Sequence, residues 1–129
     1  MSFSIIARCP RTGQFGVAAA SYSIAIGAHG DGALRANTGA TLSLGFPSTR
    51  NNYLALSLLA QGRTASQTLG ELIANDADSA YRQIAIVDRE NTAVAHTGAH
   101  VRGWAGHRVG AGFVVFGDTL AGQQVLDAM

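Results

Sequence analysis

The first 21 residues constrain the fold most, because they have the pattern of two β-strands joined by a turn. Residues 2–9 alternate with a period of two and carry strand-forming side chains. Residues 10–13, Pro-Arg-Thr-Gly, supply turn chemistry, since proline fixes φ and glycine tolerates a positive φ. The strand pattern resumes at Gln14 and continues to Ser21. If Cys9 pairs with Gln14 across the turn, Ser2 faces Ser21 at the open end of a β-hairpin.

The remainder of the chain alternates between strand-like and helix-like segments. The pattern predicts a loop with one or two strands over 22–46, then a helix over 51–61 closed by Gly62 and a second helix capped by Thr64. It next predicts a hairpin of 81–88 and 92–96, a strand over 109–116 and a final helix capped by Asp118. We expect the two middle helices to form an antiparallel pair on one sheet face. These elements predict a single α+β domain over residues 1–129.

Composition excludes several functions. Nine basic and eight acidic residues leave a formal net charge of +1, which gives no field to attract nucleic acid or an anionic membrane. Every basic residue is arginine, so a P-loop lysine, a Schiff base and a lysine general base are all excluded. Charged residues make up only 13 %, against about a quarter in typical soluble domains. We therefore expect apolar surface to be covered, either by a second copy in a homo-oligomer or by a further part of the protein.

The single cysteine, Cys9, rules out a disulfide framework or a cysteine-rich metal site within one chain. The N-terminus lacks the pattern of a signal peptide, and no apolar run approaches membrane-spanning length. We expect a cytoplasmic protein that uses no cofactor and acts on a small-molecule substrate or ligand.

Ser2 is the first candidate for a catalytic residue. A small side chain at position two normally permits removal of Met1, which would leave serine with a free α-amine. The α-amine titrates at about pH 7.7 to 8.0 in model compounds, so it can accept the hydroxyl proton near neutral pH. The alternative is that serine is simply a common residue at this position.

A second candidate site combines His96-Thr97-Gly98 with Trp104-Ala105-Gly106-His107, which together contain two histidines, one tryptophan and two glycines. With Thr97, these residues could line a polar pocket with one aromatic wall. Alternatively, Trp104 is a core residue and the histidines bind backbone groups or water. A metal site of His96, His100 and His107 fits no standard zinc spacing, so we expect no metal.

His29 and Asp31 form a third candidate, a histidine–carboxylate pair in a glycine-rich loop. Two residues apart in such a loop, they are more often only surface polar groups.

Four segments carry a family resemblance: SFSIIARCPRTGQFGVAAAS, YRQIAIVD, AVAHTG and WAGHRVGAGFVVFGDTLAGQQVLDAM. Together they resemble the bacterial family known as domain of unknown function 1028, which is similar in fold to the Ntn hydrolases. The resemblance covers nearly the whole chain in the same order. Members of that family generally continue beyond the point where this chain stops.

The resemblance implies an Ntn-hydrolase-like αββα four-layer sandwich of antiparallel sheets, of which this chain supplies the N-terminal part. It places the nucleophile for amide hydrolysis at Ser2, with Ser21 as its hydrogen-bond partner. Asp118 stands where asparagine is common in the family, and a carboxylate there would weaken any oxyanion role.

The sequence thus supports two hypotheses. The first is an Ntn-type amidohydrolase for a small amide or carbamoyl compound, with catalytic Ser2 and Ser21. Its predicted substrate-binding residues are His96, Thr97, Trp104, His107 and Asp118. The second is a non-catalytic ligand-binding or structural member of the same fold.

Overall fold

The computed structural model describes residues 1–29 and 32–129. Over these residues the chain forms two four-stranded antiparallel sheets, with strand orders β2-β1-β8-β7 and β3-β4-β5-β6. The strands are β1 (Ser2–Arg8), β2 (Phe15–Ser21), β3 (Ala33–Arg35), β4 (Gly39–Gly45), β5 (Arg82–Asp88), β6 (Ala93–Thr97), β7 (Trp104–Gly110) and β8 (Phe113–Leu120).

Four α-helices occur in the same described part of the chain: α1 (Ile26–His29), α2 (Thr49–Ala60), α3 (Ala65–Ala74) and α4 (Gln123–Asp127). A short 3₁₀-helix (Ser79–Tyr81) precedes β5. The Ser48 side chain caps α2, which the sequence did not predict. The predicted cap at Thr64 is confirmed, and Thr64 with Gln67 forms a capping box on α3. None of the described helices is long and apolar enough to cross a membrane.

The N-terminal hairpin has the predicted register. The Cys9 N–H donates to the Gln14 carbonyl oxygen at 2.8 Å, and Ser2 pairs with Ser21. On the other side of β1, Ser2 pairs with Asp118 of β8. Directly paired residues of antiparallel strands point to the same face of a sheet. Ser21, Ser2 and Asp118 therefore form a row across three neighbouring strands.

Three apolar clusters hold these elements together. The first lies between the two sheets and contains Ile6, Leu42, Leu44, Ala85, Val87, Val114 and Phe116. A second cluster joins α2 and α3 to the outward side of the β4–β5 sheet, through residues such as Leu56, Leu72 and Ile84. A third joins Leu126 of α4 to Val115 of β8. The α+β class is confirmed, whereas the Ntn-hydrolase-like layering and the single-domain boundary remain predictions.

Two predicted elements are wrong near the end of the chain. The segment 109–116 is not one strand, because Ala111-Gly112 forms a turn between β7 and β8, with Gly112 at φ +75°. Asp118 does not cap the last helix, since it lies within β8 and α4 begins after Gly122. The remaining hairpin, β5 and β6, is confirmed, and two strands form within 22–46.

Candidate functional site

A cavity of about 740 Å³ opens at the end of the hairpin where β1 begins. It collects residues from β1, β8, the end of β4, the 3₁₀-helix and the loop after β6. Its aromatic lining consists of Tyr22, Phe46 and Tyr81. Its polar lining includes Ser2, Ser23, Asp78, His100, Arg102, Asp118 and Thr119.

Ser2 is 8 % exposed and belongs to the cavity lining. The Oγ atoms of Ser2 and Ser21 are 2.9 Å apart, which is hydrogen-bonding distance. The backbone N–H of Ser23 donates to Ser21 Oγ at 3.1 Å. Either hydroxyl can be the donor in the bond between Ser2 and Ser21, since each carries one proton and two acceptor lone pairs.

Asp118 and Thr119 form the neighbouring wall. Thr119 Oγ1 donates to Asp118 Oδ1 at 3.0 Å, and the Thr119 N–H donates to the Arg102 carbonyl oxygen at 3.1 Å. Thr119 has a φ of +53°, which is a rare conformation for a β-branched residue. Such strain costs about 1–3 kcal/mol and concentrates at functional sites.

The wall beyond Phe46 is held by a buried ion pair. Arg82 Nε lies 2.6 Å from Asp76 Oδ2, and the Arg82 guanidinium lies 4.9 Å from the centroid of the Phe46 ring. Arg82 also donates to the Phe46 carbonyl oxygen. Burial raises the pKa of Asp76, but hydrogen bonds from Arg82 and Asn51 outweigh it and hold that pKa below its ordinary value. Phe46 is therefore fixed at both its ring and its backbone.

Four predicted substrate-binding residues lie outside the cavity lining. His96 Nε2 contacts the Ser79 carbonyl oxygen at 3.0 Å, and Thr97 Oγ1 contacts His107 Nδ1 at 2.9 Å. Trp104 is 38 % exposed. The structure thus brings Ser2, Ser21 and Asp118 together and places these four elsewhere. Their role in substrate binding remains a prediction.

The pKa of the His107 ring lies below its ordinary value. Burial is the main cause, and electrostatic interactions with His96 and Arg108 lower the pKa further. A neutral ring can accept a hydrogen bond from the Thr97 hydroxyl at Nδ1. This arrangement favours a structural hydrogen bond over a proton-transfer role.

Most of the cavity lining carries no signal in the sequence. Phe46 carries the clearest local signal, because it stands between Gly45 at φ +77° and Pro47. Tyr22, Tyr81 and Arg102 have no spacing that links them to Ser2. Asp31, the carboxylate of the candidate pair with His29, lies outside the described residues. In the described ranges, no group of three or more His, Cys, Asp or Glu side chains is arranged to hold a metal ion.

Comparison with known proteins identifies the family. The structure is similar to the crystal structure of protein SPO2555 from Silicibacter pomeroyi, which carries the same family assignment, with a TM-score of 0.92 and 32 % sequence identity. The match covers 98 % of this chain and 58 % of that one, so the chain spans less than two thirds of that protein. No curated protein matches. The model of a family of unknown function (DUF1028) matches residues 2–129, and the chain therefore belongs to that family.

Proposed function

We propose that the chain is an Ntn-type amidohydrolase that cleaves a small amide or carbamoyl compound with Ser2 as its nucleophile. The observation that carries this proposal is the position of Ser2 Oγ at the cavity, 2.9 Å from Ser21 Oγ. Ser2 begins a central strand, so its position is fixed by ladders on both sides. A nucleophile that is fixed beside a partner hydroxyl is well placed for attack on a bound carbonyl.

In this mechanism, removal of Met1 frees the α-amine of Ser2. The amine accepts the hydroxyl proton while Oγ forms a bond to the substrate carbonyl carbon. The same proton then passes to the leaving nitrogen as the C–N bond breaks. Water hydrolyses the resulting ester on Ser2 with the amine again as base, and the acid product leaves.

Ser21 supports the nucleophile in this scheme. Its hydroxyl donates to Ser2 Oγ and stabilises the negative charge that develops as the Ser2 proton leaves. The bond that Ser21 Oγ accepts from the Ser23 N–H polarises it toward donation.

Asp118 has a different role because its carboxylate repels the charge on a tetrahedral intermediate. As the partner of Ser2 on β8, it faces the position of a free α-ammonium group and can orient it. It contributes to the cavity as an acceptor for the amine or for a substrate N–H.

One observation favours the second candidate function, a non-catalytic ligand-binding protein. Tyr22, Phe46 and Tyr81 are 78 %, 59 % and 50 % exposed and line the cavity. Exposed aromatic side chains in one cavity provide a binding surface without any catalytic group.

A cytoplasmic location and a homo-oligomeric state also belong to the proposal. The low content of charged residues supports a homo-oligomer. Exposed apolar surface on β2 supports it as well, because residues 18–20 are three consecutive exposed alanines. A partner copy across this strand would cover them.

The test compares Ser2→Ala with Ser4→Ala on a panel of small amides and carbamoyl compounds. Ser4 lies on the same face of β1, is 1 % exposed and is not part of the cavity lining. We expect hydrolysis to fall by about three orders of magnitude or more in Ser2→Ala and to stay unchanged in Ser4→Ala. Mass spectrometry of the active protein should show Ser2 as the first residue.

Two results would contradict the proposal: an active protein that retains Met1, and a Ser2→Ala variant that keeps full activity. If the wild type binds a ligand without turnover and Ser2→Ala binds it equally well, the ligand-binding alternative is supported instead.

A further inference from the structure

Arg102 is the arginine that lines the cavity, and its positive charge is not neutralised by a described carboxylate. The ion pairs of the described residues involve Arg63, Arg82, Arg89 and Arg108. The lining contains two carboxylates: Asp78 is paired with Arg82 at 3.2 Å, and Asp118 accepts a hydrogen bond from Thr119 Oγ1 and forms no ion pair with a described arginine. Arg102 therefore brings an unmatched cation to the same cavity as Ser2.

The backbone around Arg102 is fixed by hydrogen bonds to neighbouring elements. The Gly98 N–H donates to the Arg82 carbonyl oxygen at 2.9 Å, and the His100 N–H donates to the Ala80 carbonyl oxygen at 2.8 Å. The Arg102 carbonyl oxygen accepts from the Thr119 N–H. A fixed backbone lowers the entropy cost of placing the guanidinium against a ligand.

Gly103 makes this close approach to β8 possible. Its φ is +65°, and a Cβ atom added there would lie 2.9 Å from Thr119 Cα, which is too close for any side chain. Thr119 directly follows Asp118, the residue paired with Ser2. The backbone of Arg102 is thus held against Thr119, the residue that follows the strand partner of Ser2.

The wall beside Arg102 is aromatic. The rings of Tyr81 and His100 pack with centroids 4.9 Å apart, and both residues line the cavity. Arg102 is itself exposed, so its guanidinium is open to a charged ligand that enters the cavity. Arginine is suited to this task because its planar fork binds both oxygens of a carboxylate.

We propose that Arg102 binds a carboxylate of the substrate, so that the substrate is an N-acyl or N-carbamoyl amino acid. This inference rests on the proposed function, because it assumes that the bond broken is an amide at Ser2. The acyl or carbamoyl carbon transfers from the amino acid nitrogen to Ser2 Oγ, and the amino acid leaves with the transferred proton. Water then releases the acyl group from Ser2 as its acid.

The experiment measures binding in a Ser2→Ala background by calorimetry, so that it needs no turnover. The probes are N-acetyl-L-phenylalanine and N-acetyl-L-phenylalanine amide, which differ only in the charge of one group. We expect the acid to bind about 10-fold more tightly than the amide, and Arg102→Gln to remove this preference. Arg102→Lys should retain part of it, because the charge remains without the fork. Arg11→Gln, in the turn at the far end of β1, is the matched control and should leave it unchanged.

Equal affinities for acid and amide, failure of the acid to bind, or a preference that survives Arg102→Gln would each overturn the inference. Different results would overturn the proposed function. If the acid binds through Arg102 but the wild type hydrolyses no amide, the carboxylate subsite stands and the hydrolase proposal falls. If the wild type hydrolyses neutral amides and Arg102→Gln does not change its selectivity, the hydrolase proposal stands and the carboxylate subsite falls.

Discussion

Two polar regions lie at the same end of the molecule and use their hydrogen-bonding groups in opposite ways. Between the sheets, the Gln83 side chain reaches from β5 to Thr97 Oγ1 at 3.1 Å and to the carbonyl oxygens of Gly106 and Gly117 at 3.0 Å each. At the cavity, Ser2 bonds to Ser21, Asp118 accepts from Thr119, and Arg102 has no carboxylate partner among the described residues. The Gln83 amide nitrogen is thus used within the fold, although its Oε1 is buried without a partner in the described part of the chain. The Arg102 charge, in contrast, is open to a ligand.

The difference shows why polar residue types alone do not identify a site. Gln83 is fully buried beside a β-bulge between Trp104 and Gly106, where the strand register shifts. Its amide supplies hydrogens to carbonyl oxygens at that irregularity, and Thr97 and His107 extend the same network. We call these three residues the inter-sheet cluster. The comparison predicts that mutations in this cluster affect stability and that mutations at the cavity affect activity.

The largest expected effect is at Gln83. Gln83→Ala would leave a cavity and would leave two carbonyl oxygens without the donor that the amide now provides. The free energy of unfolding should therefore fall by about 3 kcal/mol. Gln61→Ala, at an exposed glutamine at the end of α2, is the control and should change it by about 0.5 kcal/mol or less. Chemical denaturation measures both. A Gln83→Ala protein as stable as the control would show that the inter-sheet cluster is not structural.

An intermediate effect is expected at Ser21. Under the proposed function, Ser21→Ala removes the donor to Ser2 Oγ, so kcat should fall by about 10-fold to 100-fold while unfolding changes by about 1 kcal/mol or less. Ser57→Ala, which removes an exposed hydroxyl on α2, is the control and should keep kcat. Steady-state kinetics and denaturation on the same samples separate the two quantities. A loss of stability without a loss of kcat would place Ser21 with the inter-sheet cluster.

Local patterns predicted the hairpin well. Alternation over 2–21, the turn residues and the pairing of Cys9 with Gln14 determine the register, and with it the contact of Ser2 with Ser21. The cap at Thr64 could also be predicted, because the interaction lies within the four residues from Thr64 to Gln67. Where a strand is long and its partner strand is close in the sequence, the residue pattern is sufficient to predict the pairing.

The β7–β8 turn and most of the cavity could not be predicted in this way. Ala111-Gly112 interrupts an apolar run, but this turn contains neither proline nor asparagine, so the pattern predicts one continuous strand. Tyr22, Phe46, Tyr81 and Arg102 come from four separate segments that only tertiary packing unites. The residue type of His96 and His107 suggests a binding site, but both side chains form hydrogen bonds within the fold.

The smallest expected effect is the pH dependence contributed by His107. Because burial lowers the pKa of the folded ring, the unfolded chain, whose histidine titrates near about pH 6.5, binds the proton more readily. The stability from His107 is therefore complete above that pH and is lost as pH falls toward the lower folded value. In His107→Asn, whose side-chain oxygen can still accept from Thr97, the difference in Tm between about pH 7.5 and about pH 5.5 should be smaller than in the wild type. Calorimetric melts at the two pH values measure it. An equal difference in both proteins would mean that water reaches His107 as freely as it reaches the cavity, and the contrast between the two regions would then fail at this residue.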